Sequence, residues 1–188
     1  MIRKAALSTS LALASVAACG GPSPAPAPAP SCPSFDYATY APRSNQVSFK
    51  TDVVPIFATA CAFSACHASE QNPMGGLYLG PNLNNTQDKP ASVAPFYPPD
   101  DVTLAKIHGG AVGVKAKLAV TMLLIQPGSP KDSFLMHKIE GDQGCAGIAC
   151  NSIATGTCGE TMPQGSPSLE KDASSTIRDW IAQGAANQ

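Results

Sequence analysis

The sequence predicts a small all-α domain with long, disulfide-stapled loops. Three observations lead there. The clear hydrophobic periodicities are helical and well separated, period-two alternation is scarce, and 16 glycines and 18 prolines are scattered through the 188 residues.

The amino-terminal end reads as an export signal over residues 1–18. Arg3 and Lys4 precede an apolar run from Ala5 to Ala18 that is too short for a permanent membrane helix. Val16-Ala17-Ala18-Cys19 resembles the lipobox of bacterial lipoproteins, which implies acylation of Cys19. Gly20 instead of Asp then points to the outer membrane. Residues 19–45 form the expected tether, opening with Pro-Ala repeats that cannot build a core and favour extended polyproline geometry. Residues 46–188 make the domain.

Within the domain, Thr51 or Asp52 caps a short helix through Val53, Val54, Ile56 and Phe57. Pro55 sits in its first turn, where a missing N–H costs little. Asp101 to Ile107 is a further short helix, after which His108 opens a Gly-Gly turn. Val112 to Ile125 is apolar enough to be buried as helix or strand. Ser129-Pro130 reads as N-cap and first helical position for a helix with Phe134, Leu135, Met136 and Ile139 inward, closed by Gly141. Ser168 caps a last helix to about Gly184, with Leu169, Ala173, Ile177, Trp180 and Ile181 on one face. Gly75 to Ser92 and Gly141 to Gly165 are turn-rich loops.

Chemistry concentrates at Cys61-Ala62-Phe63-Ser64-Ala65-Cys66-His67. Two thiols followed directly by a histidine are what covalent haem attachment needs: each sulfur adds to a vinyl group and the imidazole takes the iron. Four residues lie between these cysteines, where two are usual. Side chains three apart on a helix diverge by about 60° and those five apart by roughly 140°, so Cys61 to Cys66 cannot be regular helix and the intervening residues must loop outward. The same loop could close a Cys61–Cys66 disulfide. Cys145 to Cys150 repeats the spacing with Asn151 in the histidine's place, and reads as a local disulfide loop.

Parity leaves both readings open. Of seven cysteines, lipidated Cys19 leaves six, enough for three disulfides or for two thioethers and two disulfides. The disulfide candidates Cys32, Cys145, Cys150 and Cys158 can pair in three ways. Zinc held by Cys61, Cys66 and His67 is a third option. Met162, before Pro163 on a Gly- and Pro-bounded loop, has the look of a second iron ligand. His108 and His137 read as bystanders, and as reserve ligands if Met162 is distant.

Taken in order, Val54-Pro55-Ile56-Phe57, Cys61/Cys66/His67, Gly75-Gly76-Leu77-Tyr78-Leu79, Pro127-Gly128-Ser129-Pro130 with Ser133-Phe134-Leu135 and Lys138-Ile139, Met162-Pro163, and Ile177-Arg178-Asp179-Trp180-Ile181 with Gly184-Ala185 resemble monohaem c-type cytochromes. The likeness is specifically to the lipoprotein or Planctomycete-type cytochrome c domains of bacterial envelopes. The resemblance implies a cytochrome-c-like helical domain carrying one haem c, bound through Cys61 and Cys66. Its iron would be held by His67 and Met162, and it would pass electrons to periplasmic or membrane redox proteins. Phe57, Phe63, Leu77, Leu79, Phe134, Leu135, Ile177 and Trp180 are the expected pocket and packing groups.

Loss of Arg3 and Lys4 with the leader takes the net charge from −1 to −3, with no basic cluster, so nucleic acid is not an expected partner. No nucleophile–base–acid set supports a hydrolase. Met162 in the distal position argues against a haem peroxidase, which needs an open face. The rival function is a haem-free, disulfide-stabilised envelope lipoprotein acting as a binding or structural module.

Overall fold

The computed structural model describes residues 32, 34–81, 99–151, 158–165 and 169–188. The leader, Cys19 with the Pro-Ala repeats, the Ser168 cap and the far part of the Gly75–Ser92 loop lie outside the described residues.

The all-α expectation is overturned. The described residues hold four short helices: α1 (Val54–Ala60), α2 (Asp101–Ala111), α3 (Phe134–Glu140) and α4 (Lys171–Ala182). Together with a π turn and two 3₁₀ turns they make up 37% of those residues, and β-bridges a further 4%. The physical reason is punctuation. Glycines at positive φ end or bend the chain every few residues, and among the described residues no helix exceeds 12 residues. Side-chain bonds to irregular backbone supply much of the order that helix packing was expected to give.

The first helical segment starts earlier than its sequence suggests. Ser48, not Thr51 or Asp52, is the cap: its Oγ accepts from Thr51 N at 3.2 Å, and Asp52 Oδ2 accepts from Ser48 N at 2.8 Å. Phe49–Val53 is π-helical before α1 begins. Pro55 has no N–H for the carbonyl four residues back and its ring needs room there, which a widened turn provides. Phe49 stacks on Trp180 of α4, with ring centroids 5.0 Å apart. His108 stands edge-on to Phe49 at 5.4 Å.

α2 runs four residues past the expected Ile107, so Gly109 and Gly110 are helical and the Gly-Gly turn after His108 is not formed. Asp100 caps its start, accepting from Thr103 N at 2.7 Å, and Ile107 and Ala111 bury its inner face. That burial outweighs the roughly 1 kcal/mol that each glycine costs in a helix. Val112 to Ile125 forms neither helix nor strand, only the isolated bridges Val112–Ile125 and Lys115–Leu123.

Ser129-Pro130 opens a 3₁₀ turn (Pro130–Asp132), and α3 starts afresh with Ser133 as its N-cap residue. The break is local hydrogen bonding: Ser133 Oγ accepts from Gln126 N at 2.9 Å and donates to Ser129 O at 2.9 Å, while Ser133 bridges to Leu123. Gly141 ends α3 as expected, at φ 80°. α4 begins at Lys171 and buries Ile177, Trp180 and Ile181.

The core gathers Phe49, Phe57, Leu79, Ile107, Ile125, Met136, Ile177 and Trp180. A smaller cluster joins Ala116, Ala119, Phe134 and Cys158. Ahead of both, Phe35, Tyr37 and Tyr40 pack ring edge to ring face around the Arg178 guanidinium, which lies 3.6 Å above Phe35. Folded contacts thus begin inside the stretch assigned to the tether. Arg178 pairs with Glu140 at 3.0 Å and Arg43 with Asp179 at 2.6 Å, so this amino-terminal strap is fixed to α3 and α4.

Candidate functional site

α1 carries the chain to Cys61, which caps the helix with its N–H bonded to Phe57 O. Ala62 then turns inward and is fully buried, while Phe63, Ser64 and Ala65 stand out in solvent. Cys66 N donates to Phe63 O at 2.8 Å and Met74 N to Cys66 O at 2.7 Å, closing a tight irregular turn. Phe63, expected in the pocket, is instead 41% exposed because it rides on this outward loop. The other pocket candidates are buried, though Phe134 lies in the smaller cluster, apart from the rest.

Cys61 and Cys66 are free thiols, each partly buried. Burial pushes the Cys61 thiol up to about 12, with the charge of Cys66 adding to the rise. His67 is oriented by Leu77 O, 2.8 Å from Nδ1, and Leu79 N donates back to His67 O at 2.9 Å. A carbonyl only accepts, so Nδ1 carries the hydrogen toward Leu77 O, and the Met74 backbone also bonds the ring. Burial also lowers the His67 pKa, against the pull of its backbone hydrogen bonds, which keeps the ring neutral.

Met162 is half-buried on another loop. Its N–H donates to Lys138 O of α3 at 2.8 Å. No hydrogen bond or ring contact joins it to the Cys61–His67 turn among the described residues. The reserve histidines are engaged elsewhere. His108 Nε2 lies 2.7 Å from Ala185 O, and His137 binds Asp142 Oδ1 at 2.7 Å and Lys131 O at 3.0 Å.

The remaining described cysteines pair as Cys32–Cys145 and Cys150–Cys158. The local Cys145–Cys150 loop is therefore corrected. Asp142 O accepts from both Cys145 N and Ala146 N, a turn that directs Cys145 to Cys32, and the chain carries Cys150 on to Cys158 beside Ala119 and Phe134. Among the described residues no group of three or more His, Cys, Asp or Glu side chains is arranged to hold a metal ion, so zinc on Cys61, Cys66 and His67 has no geometry behind it. No helix among them is long and apolar enough to cross a membrane.

Two surface hollows, of about 290 Å³ beside Tyr37, Tyr40 and Lys131 and about 160 Å³ beside Lys50 and Asp101, lie away from the cysteine turn. The sequence did not show the buried contacts of Lys138 and Gln143 or the Arg178 cluster. A lone lysine on an apolar helix face was the available signal for the first. No protein-family model, curated protein or solved structure matches the chain.

Proposed function

We propose that the protein is a haem-c-binding electron-transfer lipoprotein of the bacterial cell envelope, anchored through Cys19. One observation carries the reading. In a chain whose other described cysteines are all joined in disulfides, Cys61 and Cys66 stay unpaired, and the histidine beside them is fixed in place by backbone hydrogen bonds. In an oxidising compartment unpaired thiols call for a partner. The reading as a three-disulfide scaffold lacks its third bond here.

The donor set suits a c-type haem. Cys61 and Cys66 would hold it as thioethers, each S–H adding across one vinyl double bond with no net change of oxidation state. His67 and Met162 would hold the iron. When bound, the haem supplies a one-electron ferrous–ferric couple. Leu77 O holds the His67 ring in place, and the partly buried surroundings of the ring keep it unprotonated. A methionine ligand and a dry site both raise the reduction potential. The tether would keep the carrier near membrane-bound or periplasmic redox partners.

Expression in cells with haem-maturation machinery tests this directly. A red mature protein is expected, with haem that survives denaturation and a mass raised by one covalent haem. A colourless protein, or one with a Cys61–Cys66 bond, overturns the reading. Met162→Ala in the loaded protein should lower the potential, checked by redox titration.

A further inference from the structure

The loop that ends in Met162 is irregular backbone, yet its carbonyls are collected one after another. Lys138 Nζ donates to Cys158 O at 3.0 Å and also to Glu160 O. Gln143 Nε2 donates to Gly159 O at 3.1 Å and to Thr161 Oγ1 at 3.3 Å. Three successive carbonyls and the next side chain are thus held by two residues. Lys138 then grips the loop a second time, its own carbonyl accepting from Met162 N at 2.8 Å.

Both donors are buried, each only 6% exposed. Lys138 forms no close ion pair among the described residues; its charge is met by the carbonyl oxygens of this loop and, at longer range, by the Glu160 carboxylate. A buried ammonium with no carboxylate in direct contact is unfavourable unless its hydrogen bonds are made. The fit is close on other sides too. A side chain at Gly159 (φ 74°) would meet Leu118 at 3.3 Å and Lys138 Nζ at 3.4 Å, and one at Gly141 would meet Thr161 at 3.3 Å. The Cys150–Cys158 disulfide fixes the loop's upstream end.

We infer that Lys138 and Gln143 are positioning residues that hold the Cys158–Thr161 backbone so that Met162 is presented in one fixed place. The inference rests on Met162 being the distal iron ligand. A thioether is a neutral, weak donor, and its hold on a metal depends on how far the chain places it beforehand. α3, through a lysine that touches no cofactor, thereby sets the occupancy of the distal ligand.

The test uses Lys138→Met and Gln143→Leu, with exposed Lys131→Met as control, in the full mature chain. Two readouts are followed. The first is amide exchange of residues 159–162, and the second is the far-red sulfur-to-ferric-iron absorption band together with the reduction potential. The clamp variants should speed loop exchange roughly tenfold, the scale of one lost hydrogen bond. They should also weaken the band and move the potential toward that of Met162→Ala, while Lys131→Met changes neither. Gln143→Leu, which removes no charge, serves if Lys138→Met folds poorly.

If Met162→Ala abolishes the band while both clamp variants keep it, the clamp is overturned and the ligand assignment stands. The clamp is equally overturned if loop exchange rises with band and potential unmoved. If Met162→Ala leaves the band and potential unchanged, or the protein is colourless, ligand and clamp fall together.

Discussion

At His67 the Leu77 carbonyl, which can only accept, places a hydrogen on Nδ1. At Cys61 the deciding quantity is a proton. Its thiol ionises at about 12 in the folded chain against an ordinary 9.0. Between those values the unfolded chain has released a proton that the folded chain keeps, so the stability of the haem-free protein should fall as pH rises through that window. Urea unfolding at about pH 8 and about pH 10 should show the decline in the parent and a smaller one in Cys61→Ala, the remainder coming from Tyr37, Tyr40 and Tyr78, whose phenols burial also raises. A thioether has no proton to lose, so the loaded protein should lack the Cys61 part of this decline as well. In the native haem-free protein Cys61 should alkylate far more slowly than after unfolding, read by mass spectrometry. The cysteine–histidine spacing was legible in the sequence as chemistry. The Leu77 contact was not, since it joins residues ten apart through a carbonyl that has no residue-specific signature.

Among the elements, α3 and α4 carry the buried polar work. Glu140 accepts from Arg178 and from Tyr37 OH at 2.7 Å, and Arg178 also covers Phe35. Arg178→Met should strand the Glu140 charge and cost about 3–5 kcal/mol, measured by chemical denaturation. Gly141→Ala forces a left-handed backbone on an alanine and presses it on Thr161, for about 1–2 kcal/mol or more. The helix cores were legible because Ile177, Trp180 and Ile181, or Phe134, Leu135 and Ile139, recur at helical spacing. Their limits were not. Ser48 outcompetes Thr51 as a cap through a reciprocal bond with Asp52, and α2 runs through two glycines because Ala111 beyond them is buried. For Lys138, only the folded loop shows which carbonyls it serves.

For the whole molecule, the two disulfides differ in reach. Cys32–Cys145 closes 113 residues and Cys150–Cys158 only 8. Loop-closure entropy gives the first about 5 kcal/mol and the second about 2–3 kcal/mol. Cys32→Ser with Cys145→Ser should therefore lower the melting temperature more than Cys150→Ser with Cys158→Ser, by calorimetry. No periodicity encodes such pairing, and for the same reason the all-α expectation overreached: crosslinks and captured carbonyls, invisible in a hydrophobic pattern, stand in for helices. The long crosslink also governs how the molecule bears load. Tension applied to the chain ahead of Cys32 passes through sulfur to Cys145, bypassing Phe35, Tyr37, Tyr40 and Arg43. The aromatic strap is thereby spared being unzipped residue by residue, and dragging at that end hauls on the folded body as a unit.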